Sequence, residues 1–185
     1  MERKIIVAVD EGEESSYALS WSLKNIFCSS SDTLILLYAK PPRTVYPSVD
    51  GTGRPSDILL RQGYLFSQDI VDTMERYGNE VAESVIRKAK KLCQDYPQVK
   101  VETKVECGDA RDVICEAAEK LKVDMVVLGS HGYGALKRAF LGSVSNHCAQ
   151  NIKCPVLIVK RPKKASPSST PVAAMAASSA GGKQE

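Results

Sequence analysis

The stretch VDMVVLGSHGYGALKRAFLGSVS, residues 123–145, joins a continuous apolar run to a glycine-rich loop and then to the start of a helical pattern. We expect VDMVVL to be a buried strand, because a short apolar run that ends at glycine is typical of strands covered on both faces. Four glycines follow within fourteen residues, which is more than a simple surface turn requires. The stretch therefore either turns the chain or holds a ligand.

Apolar strand-like runs alternate with helical patterns along the whole chain. Helices are predicted over 14–27 and 68–94, after an N-cap at Asp109, and from near Ser143. This alternation predicts the α/β class: a doubly wound, five-stranded parallel sheet of the Rossmann-like type with helices on both faces. The predicted strands are residues 4–9, 33–39, 99–107, 123–129 and 155–160.

The pattern of apolar and polar residues in these elements predicts where each one lies. The first, second and fourth strands are continuously apolar, as expected for covered strands, whereas the third alternates with polar residues and suits an edge. The strand order 3-2-1-4-5 follows, with right-handed crossovers. The helix over 68–94 is expected to turn one face to the core, formed by Ile70, Met74, Tyr77, Val81, Val85, Ala89 and Leu92.

The predicted strand order reverses its direction between the first and fourth strands. Ligands of open α/β sheets bind at such a switch point, outside the carboxyl ends of the strands. Asp10 ends the first strand and Gly129 ends the fourth, so the glycine-rich stretch lies at the predicted crevice. A carboxylate at the position of Asp10 can accept hydrogen bonds from ribose hydroxyls.

The loop and the helix after it suit a phosphate group. Gly129 and Gly132 leave no Cβ between the backbone and a ligand. The helix that follows Gly142 offers free N–H groups at its start, and the hydroxyls of Ser143 and Ser145 would complete a phosphate cradle. Lys137 and Arg138 in the loop could reach the outer phosphates. The alternative is that the glycines only turn the chain, Ser143 caps a helix and the two cations are solvated.

Several motifs together resemble the universal stress protein family. GSHG, nine residues and then GS match the family signature, and VAVD, GDARDVI (108–114) and CPVLIVK (154–160) extend the resemblance over residues 3–160. The chain is most similar to the plant-type, single-domain, ATP-binding A-like branch. The resemblance implies a doubly wound fold, ATP or AMP binding and frequent homodimers. It also implies roles for Asp10 at the ribose, for Ala39 at the adenine, for Gly129, His131 and Gly132 at the ribose and phosphates, and for Gly142, Ser143, Val144 and Ser145 at the phosphates.

Signatures of the common ATP- and ester-cleaving enzymes are missing from the sequence. There is neither a GxxxxGK[ST] phosphate loop nor a GxSxG elbow. His131 lies near the crevice, but no nucleophile or base accompanies it in the sequence, so we expect a binding contact and assign no catalytic residue. The candidate carboxylates for Mg²⁺ are Asp10 and Asp124, so a bound Mg²⁺ ion would depend on the phosphates and no protein metal site is assigned.

Three functions remain open at this stage. The first is a nucleotide-dependent switch, in which ATP or AMP biases loop 40–66 or a dimer and an unidentified protein partner reads the state. The second is a slow ATPase. The third is a redox-dependent chaperone or oligomer with a vestigial nucleotide site, suggested by six cysteines. Loop 40–66 is long enough to be either a lid over the nucleotide or a mobile excursion.

Composition excludes several other classes of partner. The net charge of +3 on 185 residues comes from the segment after residue 160, so the body lacks the basic footprint of a nucleic-acid binder. The N-terminal apolar core is five residues long, too short for a signal peptide or a membrane span, and no membrane insertion is expected. The cysteines form no CxxC pair, which disfavours zinc and favours reduced thiols and a cytoplasmic location.

The chain divides into two predicted regions. Residues 1–162 form the nucleotide-binding domain, and the Ala/Ser/Pro-rich residues 163–185 are expected to be disordered. An apolar strand over 155–160 at a sheet edge invites antiparallel pairing, which predicts a homodimer. KRPKK at 160–164 is a weak candidate for nuclear targeting.

Overall fold

The computed structural model describes residues 2–27, 31–42, 68–131 and 141–162. Within them, five strands alternate with four helices along the chain. The strands are β1 (Lys4–Ala8), β2 (Thr33–Lys40), β3 (Lys100–Cys107), β4 (Met125–Gly129) and β5 (Val156–Val159), and the helices are α1 (Glu13–Asn25), α2 (Gln68–Cys93), α3 (Ala110–Leu121) and α4 (Ser143–Asn151). Most of the predicted loop 40–66, the predicted tail 163–185 and Gly132 lie outside the described residues.

The strands form one parallel sheet in the order β3-β2-β1-β4-β5, which confirms the predicted topology. In the middle of the sheet, Ile6 of β1 is in register with Ile35 of β2 on one side and with Val126 of β4 on the other. Successive strands are added toward one edge of the sheet from β1 to β3 and toward the other edge from β4 to β5, so the strand order reverses between β1 and β4, as predicted. The carboxyl ends of these two strands therefore meet at one edge of the sheet.

Two apolar layers lie between the sheet and its helices. Ile5, Val7 and their neighbours pack against α1 and α2 on one face, whereas Ile6 and Leu128 pack against α3 and α4 on the other. The central strands are almost fully covered, since Ile6, Leu34 and Val126 have no exposed surface. Burial of each such side chain stabilises the fold by roughly 1.5–3 kcal/mol, so the sheet is a firm base for the loops at its edge.

The ends of α3 are set by local chemistry. Asp109 is the N-cap, as predicted, and its carboxylate accepts the backbone N–H of Arg111 at 2.9 Å. Hydrogen bonds from Arg111 lower the pKa of Asp109 to about 2, so the cap stays ionised at neutral pH. The helix ends at Lys122, whose φ of 50° places it in the left-handed region. These two residues hold α3 with its first turn at the carboxyl edge of the sheet.

The predicted inward face of α2 is correct in the second half of the helix and wrong in the first. Val85 and Ala89 are buried, but Met74 and Tyr77 are 59% and 69% exposed. The reason is the length of the helix. A Cβ built on Gly78 would lie 3.5 Å from the side chain of Lys40, the last residue of β2, so residues 68–77 extend beyond the sheet by about 15 Å. None of the five described strands lies beneath this part of α2.

The two edges of the sheet differ in character. β3 exposes Lys100, Glu102 and Val105, whereas β5 is apolar and half-buried over Val156–Ile158. Among the described residues, each edge strand pairs with a single neighbouring strand. No helix in the described ranges is long and apolar enough to cross a membrane.

Candidate functional site

A cleft of about 610 Å³ opens where β1 and β4 end, at the switch point of the sheet. Its volume lies in the range of small-molecule sites. A second depression of about 650 Å³ is bordered only by residues 83–94 along α2 and has no such position in the fold. Eight of the nine predicted site residues line the first cleft: Asp10, Ala39, Gly129, His131, Gly142, Ser143, Val144 and Ser145. Gly132 lies outside the described residues.

Asp10 is held in one orientation by the first turn of α1. Its Oδ1 accepts hydrogen bonds from the Gly12 backbone N–H at 2.9 Å and from Ser15 Oγ at 2.5 Å. The Asp10 backbone N–H in turn donates to Ser15 Oγ at 3.1 Å. The carboxylate is therefore preorganised at the cleft before any ligand arrives.

The lack of a side chain at Gly129 serves packing against α1. A Cβ at this position would lie 3.0 Å from the carbonyl carbon of Glu14 and 3.1 Å from the backbone nitrogen of Ser15. Such distances are tighter than most Cβ contacts in proteins, and both atoms belong to backbone, which would have to shift. Gly129 thus lets the start of α1 lie against the end of β4, which brings Asp10 and the glycine-rich loop to the same cleft.

The start of α4 is tied to the end of β4 through Ser130. The Ser130 carbonyl accepts the Gly142 N–H at 2.9 Å and the Ser145 hydroxyl at 3.1 Å. A Cβ at Gly142 would lie 3.2 Å from both the Ser130 oxygen and the His131 Cα, so a side chain here would force this backbone apart slightly. Gly142 is the N-cap and has no side chain to satisfy the first N–H groups of α4, which therefore face the cleft as anion donors. Ser143 is the first helical residue and not the cap.

His131 is positioned by a side chain next to it in sequence. The Ser130 hydroxyl lies 3.1 Å from His131 Nδ1 and 3.5 Å from Glu14 Oε2. When the hydroxyl donates to the Glu14 carboxylate, its oxygen is left to accept from Nδ1–H, which directs the other ring nitrogen away from Ser130. Ser130 is 4% exposed, so this contact is shielded from water.

The other end of the cleft is apolar and made of small residues. Ala8 ends β1 there, Leu37 and Ala39 lie in the second half of β2, and Ala110 and Ile114 come from the first turns of α3. Three alanines leave room for a flat ring system between β2 and α3. An apolar end beside an acidic residue and a helix N-terminus matches the base, ribose and phosphate of a nucleotide in sequence along the cleft.

The charged side chains that line the described part of the cleft are Asp10 and Glu11. Glu11 is anchored by Tyr38, whose hydroxyl donates to Glu11 Oε1 at 3.0 Å. Burial, together with this hydrogen bond, raises the pKa of Tyr38, so the hydroxyl remains a donor at all physiological pH values. Asp10 and Glu11 are both acidic, so a positively charged side chain that contacts a phosphate would have to come from outside the described lining. Lys137 and Arg138, predicted for that task, lie outside the described residues.

The structure removes Asp124 as a candidate Mg²⁺ ligand at the cleft. Asp124 precedes β4 and its Oδ2 accepts the backbone N–H of Lys4 at 2.8 Å, at the amino-terminal edge of the sheet. The cleft lies at the opposite edge. Asp10 remains as a carboxylate near the phosphates.

Sequence reasoning missed four residues that shape the site. Ser15 and Glu14 belong to DEGEESS, where the spacing of Asp10 and Ser15 was a usable signal for a helix-start hydrogen bond. Glu11 follows Asp10 directly. Ser130 carried no signal, since its role depends on β5, α1 and α4 coming together in space.

The chain matches known proteins over most of its length. The family model described as the universal stress protein family matches residues 1–160. The universal stress protein PHOS32 of Arabidopsis thaliana is 29% identical over 164 residues, which cover 86% of this chain and 65% of PHOS32. The chain thus spans less than two thirds of that relative.

Solved structures share the fold. A universal stress protein family member from Arabidopsis thaliana, solved with AMP bound, is similar with a TM-score of 0.59 and 22% identity, over 90% of this chain and 96% of that one. A universal stress protein in complex with cAMP is similar with a TM-score of 0.55 and 23% identity, over 85% of this chain and 96% of that one.

Proposed function

This chain belongs to the universal stress protein family, and from that premise we propose that it binds an adenine nucleotide, ATP or AMP, in the cleft between the ends of β1 and β4. One observation carries the proposal: an apolar end, an oriented carboxylate and an uncapped helix N-terminus follow one another along a single cleft. The related structures with AMP and cAMP bound support it.

Each part of the nucleotide has a place in this cleft. The adenine lies against Ala39 and Ala110, the ribose hydroxyls donate to Asp10, and the phosphates accept hydrogen bonds from the start of α4. Gly132 is proposed to line the ribose and phosphates, and Lys137 and Arg138 are proposed to reach the outer phosphates. A Mg²⁺ ion would be held mainly by phosphate oxygens, because the described cleft offers it few carboxylates besides Asp10.

Calorimetric titration with ATP and with AMP tests the proposal. Ser143→Asp is the informative variant, because a carboxylate in the first turn stabilises a helix but repels a phosphate at the same place. We expect nucleotide binding to weaken at least about tenfold while the melting temperature is kept. Asn146→Asp adds the same charge one turn further on, outside the cleft lining, and should bind as the wild type does. Absence of binding to the wild type would refute the proposal.

We also propose that the nucleotide acts as a switch. Ser130 connects the phosphate end of the cleft to the edge of the sheet, since its N–H donates to the Val159 carbonyl at 3.1 Å. Glu14, which contacts the Ser130 hydroxyl, also accepts the Arg161 N–H at 3.4 Å. A shift of α4 toward bound phosphate is therefore passed to β5 and Arg161. Limited proteolysis within residues 40–66 and the dimer fraction, each with and without ATP, test this; no change in either contradicts it.

A homodimer through residues 155–160 is part of the same proposal. β5 carries three half-buried apolar residues at an edge where, in the described chain, no further strand pairs. Antiparallel pairing with a second β5 across a two-fold axis would cover them. An unidentified protein partner would then bind differently to the dimer and the monomer, or to the nucleotide-bound and nucleotide-free forms.

The two alternative functions have weaker support. For a slow ATPase, the acid–base groups in the described cleft are Asp10, Glu11 and His131, and the first two accept hydrogen bonds from Ser15 and Tyr38. For a redox function, burial raises the pKa of Cys93 to about 11 and of Cys148 to about 12, and it also raises the pKa of Cys115 and Cys154. Thiols that remain protonated at neutral pH react slowly with oxidants.

A further inference from the structure

The edge strand β3 has a regular charge pattern. Its sequence is KVETKVEC, and in the described part of the chain it pairs only with β2. Because Leu34 and Tyr38 of β2 belong to the layer under α1 and α2, their register partners Val101 and Val105 point to that same side. The charged residues alternate with these and point to the other side. Lys100 and Glu102 lie next to each other there, 3.1 Å apart in an ion pair.

We propose that β3 pairs antiparallel with β3 of a second copy of this chain, with the two-fold axis at Thr103. In this register, Glu102 of each copy lies opposite Lys104 of the other, and Lys100 lies opposite Glu106. Val101 and Val105 lie opposite one another on the side of α2, and the two Thr103 side chains meet at the axis. Opposite charges, apolar pairs and threonine pairs at facing positions each stabilise an antiparallel sheet.

The pattern selects this register over its neighbours. If one strand slides by one residue, all its side chains move to the wrong face of the sheet. If the two-fold axis lies at residue 102 instead, the two Glu102 side chains face each other and Lys100 faces Lys104. If the axis lies at residue 104, the two Lys104 side chains face each other and Glu102 faces Glu106. Charged edge strands commonly prevent pairing, but this one repels other registers and fits itself.

Exposure and spacing agree with the pairing. Val105 is 48% exposed in the single chain, and an opposing Val101 would cover it. The helix α2 packs over β2 and β3, so the two copies of α2 would be separated by two to three strand spacings, or roughly 10–14 Å. Packed helices lie about 8–10 Å apart, so the two copies of α2 would lie side by side without overlapping. The result is one continuous sheet through both copies, independent of the nucleotide cleft.

Cross-linking of the full chain without nucleotide tests the axis. Thr103→Cys, combined with Cys107→Ser to remove the exposed neighbouring thiol, should form a disulfide-linked dimer under mild oxidation with diamide, because the two residues 103 face each other. Lys100→Cys in the same background is the matched control, since its counterpart would lie about 20 Å away along the strand. Equal yields from both variants would overturn the proposal.

Charge exchange gives a second, independent readout by sedimentation velocity of the full chain. Glu102→Lys alone and Lys104→Glu alone each create two like-charge pairs, and self-association through β3 should weaken at least about tenfold. The double variant restores opposite charges and should associate as the wild type does. An equimolar mixture of the two single variants should form the mixed pair. Single variants that associate like the wild type, or a mixture that does not recover the association, would overturn it.

Discussion

Ser15 holds Asp10 through both its donor and its acceptor: the serine hydroxyl donates to Asp10 Oδ1 at 2.5 Å and accepts the Asp10 backbone N–H at 3.1 Å. The carboxylate at the end of β1 is thus oriented by a side chain that is 5% exposed and belongs to the first turn of α1. Helix α1 consequently has two tasks, one in the core and one in preparing the cleft for a ligand.

We predict that Ser15→Ala weakens nucleotide binding about fivefold, because loss of one hydrogen bond of about 1 kcal/mol frees the Asp10 carboxylate to rotate. The affinity is measured by calorimetric titration. Ser16→Ala is the matched control, since the Ser16 hydroxyl donates only to the Gly12 carbonyl at 3.1 Å. Equal losses in both variants would show that Asp10 is not oriented by Ser15.

Two glycine-to-alanine changes should have opposite effects on stability. Gly129→Ala places a methyl group 3.0 Å from backbone of α1 and should destabilise the fold by about 1–3 kcal/mol. Gly78→Ala places one 3.5 Å from the flexible Lys40 side chain, within helix α2, and should stabilise it by about 0.5–1 kcal/mol. Chemical denaturation measures both free energies of unfolding. A neutral Gly129→Ala would contradict the close approach of α1 and β4.

Acid stability should depend on Asp32. Arg3 donates to both carboxylate oxygens of this buried residue and lowers its pKa below the ordinary value of 3.8. The folded state therefore binds fewer protons than the unfolded state near that pH, and the ion pair stabilises the fold above about pH 4 and loses its effect as the pH falls below 3.8. We predict that Asp32→Asn lowers the free energy of unfolding by about 1–2 kcal/mol at pH 7 and by less at pH 2.5. Thermal denaturation against pH measures this, and an equal loss at both pH values would refute it.

The proposed β5 dimer makes a prediction for Ile158. A lysine at this position would place a charge at the apolar edge, so Ile158→Lys should remove the β5 contact in light scattering. Gln150→Lys, on the exposed surface of α4, adds the same charge and should leave the mass unchanged. If the mass of Ile158→Lys matches that of the wild type, β5 is not the contact.

The sheet could be predicted because the pattern of apolar and polar residues within each strand is a local property of the sequence. Continuous apolar runs in β1, β2 and β4 and the alternation in β3 determine the strand order, and the structure confirms it. The error at Met74 and Tyr77 has a different origin. Helical periodicity shows which face of α2 is apolar but not where the sheet beneath it ends, and that end is set by the length of β2.

Site residues could be predicted from the sequence where they stand next to the start or end of a helix or strand. Asp10 and Gly142 each end or begin an element at the switch point, and both line the cleft. Ser130 and Glu14 were missed because their roles require three elements to meet, and neither residue differs from an ordinary polar residue in sequence. Gly129 lines the cleft, yet the space that it leaves is occupied by α1.

The overhang of α2 also has a consequence for how this protein can vary. The chain leaves the sheet at Lys40 and re-enters a helix at Gln68, about 15 Å out from the strand ends. Six consecutive side chains in the overhang, residues 72–77, are exposed, so they can change without displacing a core side chain. The start of α2 is therefore where evolution, or an engineer, can alter the surface of the molecule while the barely exposed strands remain as they are.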